Sequence, residues 1–241
     1  VIDSPQPGDT LIVEGELGWS LTHVFGLTET SPFIAICEPR PEHRDLSAAE
    51  SAALKACQGV ELVSSGELRV VDEGGHEVAH DGATLGEITV RGNVVMKGYY
   101  NDAEATAAAI KNGWFHSGDA AVVHPNGYVE IRDRFKDVII SGGENVSSIE
   151  VEGCLLTHTA VQEVAVVGMP HEKWGESPHA FVVMQAGLEV SEDELKSHVR
   201  ENLAHFKTPQ WVSFVEELPK TATGKVQKFM LRDGQSGISR Q

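Results

Sequence analysis

Residues 133–152 read Asp-Arg-Phe-Lys-Asp-Val-Ile-Ile-Ser-Gly-Gly-Glu-Asn-Val-Ser-Ser-Ile-Glu-Val-Glu, DRFKDVIISGGENVSSIEVE. The texture of the chain changes inside this stretch. Asp137–Ile140 is a short apolar run fit for a strand. Gly142 and Gly143 supply the conformational freedom of a tight turn, as in a plain hairpin. Ser147, three residues ahead of Glu150, forms a capping box, which predicts a helix through about Leu156. A new unit therefore begins near Arg134–Asp137.

Downstream the same alternation continues. Val161–Val167 and Ala180–Met184 read as strands. A second capping box, Ser191 with Glu194, precedes Leu195, Val199 and Leu203, an apolar stripe on one helix face. Trp211–Val215 supplies another strand, so the last hundred residues form an α+β module. The module ends in Pro219-Lys220-Thr221-Ala222-Thr223-Gly224-Lys225, a loop of small residues ahead of a short helical stretch with Lys228 and Arg232. Such a loop lets a lysine ammonium approach a phosphate or carboxylate closely, or it is a surface turn with solvated lysines.

Upstream, Glu67–Asp72, Glu87–Arg91 and Tyr128–Arg132 alternate apolar and polar residues between glycine-rich turns, the period of half-buried antiparallel strands. Ser47 with Glu50 caps a helix to about Cys57, and Asp102–Lys111 is an alanine-rich helix stopped at Gly113. Leu17–Phe25 reads as a strand running into a polar loop. There Phe25, Thr28 and Glu29 offer an aromatic face, a hydroxyl and a hard carboxylate ligand, or simply a turn with an N-capping threonine. Asp119, after Ser117-Gly118, is able to accept from both hydroxyls of a ribose or to bond its own turn. Arg134, fifteen residues on, offers a fork of donors to the same ribose or to a phosphate, or is a surface arginine at a strand end. His171–Glu176 reads as a packed surface loop.

Composition narrows the function classes. The 241 residues are 41% hydrophobic and 23% charged, ordinary globular material best divided into two domains. A net charge of −17 argues against a nucleic-acid surface, so an anionic ligand needs a local basic site. Cys37, Cys57 and Cys154 show no ligand spacing, which fits buried thiols in a reduced cytoplasmic protein. No apolar run reaches the length of a membrane span. A chain that starts at Val1, followed by the polar Ser4–Thr10, reads as a truncation.

In order, Phe25–Glu29, Gly86–Tyr100 (GEITVRGNVVMKGYY), Trp114–Asp119, Asp133–Glu152 and Leu218–Arg232 (LPKTATGKVQKFMLR) resemble the motifs of the adenylate-forming superfamily, in its acyl-CoA synthetase branch. The resemblance runs from about Leu11 to Asp233. It implies a mixed α/β fold: residues 1–133 as the end of the large AMP-binding domain, with a β-rich subdomain, and residues 134–241 as a small mobile C-terminal domain hinged near 134–137. It implies a ligase that joins a carboxylic acid to ATP as acyl-AMP and passes the acyl group to coenzyme A. The wording at Ile140–Ser148 is similar to enzymes of medium-chain fatty and other small aliphatic or aromatic acids. The implied roles are adenine stacking by Phe25, α-phosphate contact by Thr28, magnesium binding by Glu29, ribose binding by Asp119 with Arg134 beside it, and a hinge at Lys136. Gly142 and Gly143 would line a thiol tunnel, and Lys225 would bridge the acid and the α-phosphate. Phe25 stands where tyrosine is usual and Ser117 where threonine is common. The loop that wraps the outer phosphates is absent, so the resemblance implies the latter part of a longer ligase. Alternatives are a non-catalytic nucleotide or CoA-binding module, or a ligase serving a carrier-protein thiol. Homo-oligomerisation is compatible with the sequence.

Overall fold

The computed structural model describes residues 12–222 and 224–234. The expectations placed on Val1, Ser4–Thr10 and Thr223 lie outside them. The chain divides into two compact units, the first ending at Phe135 and the second beginning at Lys136.

The first unit is built on two antiparallel sheets. β1 (His23–Gly26), β2 (Phe33–Cys37) and β3 (Val60–Glu61) form the smaller, in that order. Helix α1 (Ala48–Ala56) follows β2. It is alanine-rich, and Ser47 accepts from the Glu50 amide while Glu50 reaches back to the Ser47 amide, the expected box. The larger sheet contains β4 (Glu67–Val71), β5 (Gly86–Arg91), β6 (Ile110–Lys111), β7 (Trp114–Val123) and β8 (Val129–Arg134). β7 lies beside β5 along one edge and pairs with β6 and then β8 along the other. Helix α2 (Ala103–Ala109), capped by Asp102, leads directly into β6. Alternation places Val70, Ile88, Val90, Ala121, Val123 and Val129 in one buried cluster with Ile34 of β2.

The second unit is a five-stranded sheet covered on both faces. β9 (Ile139–Ser141) and β10 (Glu144–Val146) form a hairpin through Gly142 and Gly143. Helix α3 (Ser148–Leu156) follows, with the Ser147 side chain accepting from the Glu150 amide. β11 (Val161–His171) and β12 (Gly175–Met184) are antiparallel, and β13 (Trp211–Phe214) runs parallel to β12. Helix α4 (Glu192–Asn202) connects them. Val164 and Val166 turn toward α3 and α4, where Val151, Leu155, Leu195 and Val199 close one core. The alternate residues Ala165 and Val167 turn to the opposite face and meet Leu218 and Leu231. The last of these belongs to helix α5 (Lys228–Arg232). Two covered faces explain why this part of β11 is a continuous apolar run rather than an alternating one.

Two expectations need correction. Asp119 does not follow a free turn: Trp114–Val123 is one ten-residue strand, and Asp119 lies inside it. His171–Glu176 is not a separate loop either. β11 runs to His171 and β12 starts at Gly175, paired from Val161↔Met184 to His171↔Gly175, so residues 172–174 form the turn that ends a long hairpin. In both places polar residues and glycine hid strand that ladder bonds hold together.

Candidate nucleotide-binding and lysine-loop site

Asp119 owes its position to an irregularity in the sheet. Glu87 faces Ala120 across β5 and β7, yet Thr89 faces His116. Three β7 residues, Ser117, Gly118 and Asp119, therefore oppose the single Ile88, a bulge that re-aims the strand. Gly118 takes φ +75°, which a residue with a Cβ adopts at a cost. The bulge is tied on several sides. The Glu87 carboxylate accepts from the Gly118 amide at 3.0 Å and meets His116 Nδ1 at 2.6 Å. The Ser117 hydroxyl accepts from the Asp119 amide at 3.0 Å. Phe135 donates its amide to the Gly118 carbonyl at 2.9 Å.

On its other edge Asp119 is the cross-strand partner of Arg134. Arg134 Nε lies 2.9 Å from Asp119 Oδ1, and the residue Asp119 is only 3% exposed. A carboxylate this buried is held by charge-assisted bonding. That contact uses one of the five guanidinium donors, and the others remain chemically suited to hydroxyl or phosphate oxygens.

Phe25, at the end of β1, packs its ring against the Ile34–Ile88–Val123 core and is partly buried. Thr28 opens a single 3₁₀ turn, Thr28–Thr30, and is exposed. Beneath it the buried Thr30 hydroxyl bonds Leu27 and Pro32, pinning the loop. Glu29 is half-buried and accepts a hydrogen bond from the Tyr99 hydroxyl at 3.0 Å. Burial, together with this bond to Glu29, pushes the Tyr99 phenol up, so it stays a donor. A lone carboxylate fits magnesium, which keeps its waters and takes phosphate oxygens rather than a protein cage.

In the second unit Lys136 sits exposed in the turn that follows β8. Gly142 has φ +62°, and its amide donates to the Trp174 carbonyl at 2.8 Å. A Cβ on Gly142 would stand 2.9 Å from the Trp174 ring, so the β9–β10 turn and the β11–β12 hairpin end are fitted to each other. Lys225 is exposed on a tight loop. Thr221 donates its amide to the Lys225 carbonyl at 2.8 Å, and its hydroxyl accepts from the Lys225 amide at 3.1 Å. The following helix is anchored: Lys228 pairs with Glu152 at 2.7 Å and Arg232 with Asp137 at 2.6 Å.

Phe25, Thr28, Glu29, Asp119 and Arg134 thus belong to the first unit, and Lys136, Gly142, Gly143 and Lys225 to the second. Sequence reasoning gave no role to Glu87, His116 or Tyr99. Glu87 and His116 touch across 29 residues of chain, and only a carboxylate placed opposite the Gly118 motif could have signalled them.

Among the described residues a cluster of metal-ligand composition lies elsewhere: a ligand atom each from Cys57, His124 and Glu130 lie within 4.8 Å of one another. Its groups are already engaged. His124 Nε2 meets Glu130 at 2.7 Å and Arg132 pairs with the same carboxylate at 3.0 Å. Burial first, then the Glu130 charge, pushes the Cys57 thiol up to about 12.

Residues 6–100 match the family of AMP-binding enzymes, and residues 150–225 match the AMP-binding enzyme C-terminal domain. A probable acyl-activating enzyme of Arabidopsis thaliana is 49% identical over 95% of this chain and 42% of its own length. A 4-hydroxybutyrate–CoA ligase of Metallosphaera sedula is 50% identical over 95% of this chain and 41% of its own. Among solved structures, ATP-bound MatB from Rhodopseudomonas palustris superposes with a TM-score of 0.82 at 32% identity, over 95% of this chain and 43% of that one. The chain spans about two fifths of the length of the curated relatives it matches.

Proposed function

The chain belongs to the AMP-binding, adenylate-forming enzymes, and we propose that it is the nucleotide-gripping end and the lysine-bearing module of an ATP-dependent acid–CoA ligase. The observation that carries this reading is the Asp119–Arg134 pair, a buried carboxylate and a guanidinium 2.9 Å apart on a bulge. Asp119 is assigned the ribose hydroxyls, for which an ionised carboxylate is a two-acceptor partner, and Arg134 the ribose or adjoining phosphate. Phe25 covers one adenine face and Thr28 donates to the α-phosphate.

Glu29 would hold magnesium, with Tyr99 fixing its carboxylate; when bound, the ion supplies charge neutralisation at the phosphates. Lys225 brings a compact cation to the substrate carboxylate and α-phosphate as negative charge gathers there, an electrostatic stabilisation confined to the adenylation step. Its loop must be delivered to the nucleotide and then withdrawn. Lys136 is assigned as the hinge, an exposed element-terminal position able to absorb a dihedral change. The unit that ends at Phe135 is assigned to the large domain and the one that begins at Lys136 to the mobile one, a boundary two residues beyond the expected 133/134. Gly142 and Gly143 are assigned to the coenzyme A thiol path.

The acid is proposed to be small or medium-chain, aliphatic or aromatic; the 4-hydroxybutyrate named for the Metallosphaera relative is of this kind. Fatty-acid metabolism in the cytoplasm is the proposed setting. Among the described residues, no helix is long and apolar enough to cross a membrane.

The test is calorimetric titration of the full-length protein with AMP. Asp119→Ala should weaken binding at least about tenfold, because a charged hydrogen bond to ligand is worth roughly 1.5–3 kcal/mol. Unchanged affinity in a folded variant would remove the nucleotide assignment.

A further inference from the structure

Glu87 lies on the strand next to the one that carries Asp119, and its side chain occupies the place where the β5–β7 ladder is broken. With three residues of β7 facing Ile88, the Gly118 amide has lost its regular strand partner. Glu87 Oε1 replaces that partner at 3.0 Å, and Oε2 holds His116, the residue that enters the bulge, at 2.6 Å. One carboxylate thus spans both ends of the Ser117–Gly118 step. His116 and Glu87 side chains are only 21% and 25% exposed, so the pair is shielded from competing water. Space does not demand glycine at this position, since a Cβ built on Gly118 meets nothing within 4 Å. Its left-handed φ is accompanied by the hydrogen bonds to Glu87 and from Phe135.

From this we infer that Glu87, clamped by His116, is a positioning residue for nucleotide binding: it fixes the Gly118 bulge and so aims the Asp119 carboxylate. It touches no ligand itself. The inference rests on the proposed nucleotide role of Asp119. An acceptor at Oε1 is the essential requirement, since it satisfies the Gly118 amide. Glutamine retains that acceptor and alanine does not.

The experiment measures AMP affinity of the full-length protein by calorimetry, with thermal melting of each variant and Asp119→Ala as the reference. Glu87→Ala should weaken AMP about tenfold, the scale of a small misplacement of a binding group, while Glu87→Gln stays within about threefold of wild type. Unchanged AMP affinity in Glu87→Ala, with Asp119→Ala impaired, overturns the inference alone. Equal loss in the alanine and glutamine variants overturns it as well, because it denies the acceptor its special place. If Asp119→Ala binds AMP normally, the nucleotide reading falls and this inference with it. Should Glu87→Ala fail to fold, His116→Ala carries the test by removing one anchor of the carboxylate: several-fold weaker AMP supports the inference, and wild-type affinity overturns it.

Discussion

Cys37 and Cys57 show how burial decides the chemistry of single residues. Both lie in a cluster with Tyr128, 0% and 6% exposed. Burial pushes the Cys37 thiol up to about 11 and the Cys57 thiol to about 12, from an ordinary value of 9.0. At neutral pH both are thiols rather than nucleophilic thiolates. Alkylation at pH 8 should therefore be slow in the folded protein and fast after denaturation, as read by mass spectrometry; equal rates would refute the burial assigned here. The sign of the pH effect follows. Each raised value contributes stability that is full below 9, where folded and unfolded thiols both hold their protons. It is lost as the pH climbs toward 11 and 12, because the unfolded chain releases the proton first.

At the scale of elements, helices α1, α3 and α4 are announced by their first turns. Ser47, Ser147 and Ser191 each accept from the amide three residues on. Ser147→Ala should lower the unfolding free energy of the second unit by about 1 kcal/mol in urea titration. A change under about 0.3 kcal/mol would show that packing of Val151 and Leu155, rather than the cap, sets that helix. The caps and the apolar run at Val164–Val167 were legible because local chemistry writes them. β7 was not. Its ladder with β5 joins residues far apart in sequence, from Gly86↔Ala121 to Val90↔Phe115, and Ser117-Gly118 punctuates it just where Asp119 is placed. The pairing of β11 with β12 beyond Val167 and Ala180 was hidden for a similar reason, since Pro170, Trp174 and Gly175 look like loop in isolation. Asp119, Arg134 and Lys225 could be named from motif wording, but the buttress of Glu87 and His116 exists only in the register of the sheet.

For the whole molecule, the division between Phe135 and Lys136 separates the proposed grip on the nucleotide from the lysine proposed to act on it. Arg232 bonded to Asp137 at 2.6 Å and Lys228 bonded to Glu152 at 2.7 Å tie helix α5, which follows Lys225, to the rest of the second unit. Rotation about the proposed hinge at Lys136 would carry this helix with its unit, which suits a cation proposed to be needed in one step and absent from the next. The most direct measurement is of the two half-reactions of the full-length protein with Lys225→Ala. Adenylation, followed by pyrophosphate release, should slow by about two to three orders of magnitude, while thioester formation from supplied acyl-adenylate stays within a few-fold of wild type. Equal loss in both half-reactions, or none in the first, would contradict the account.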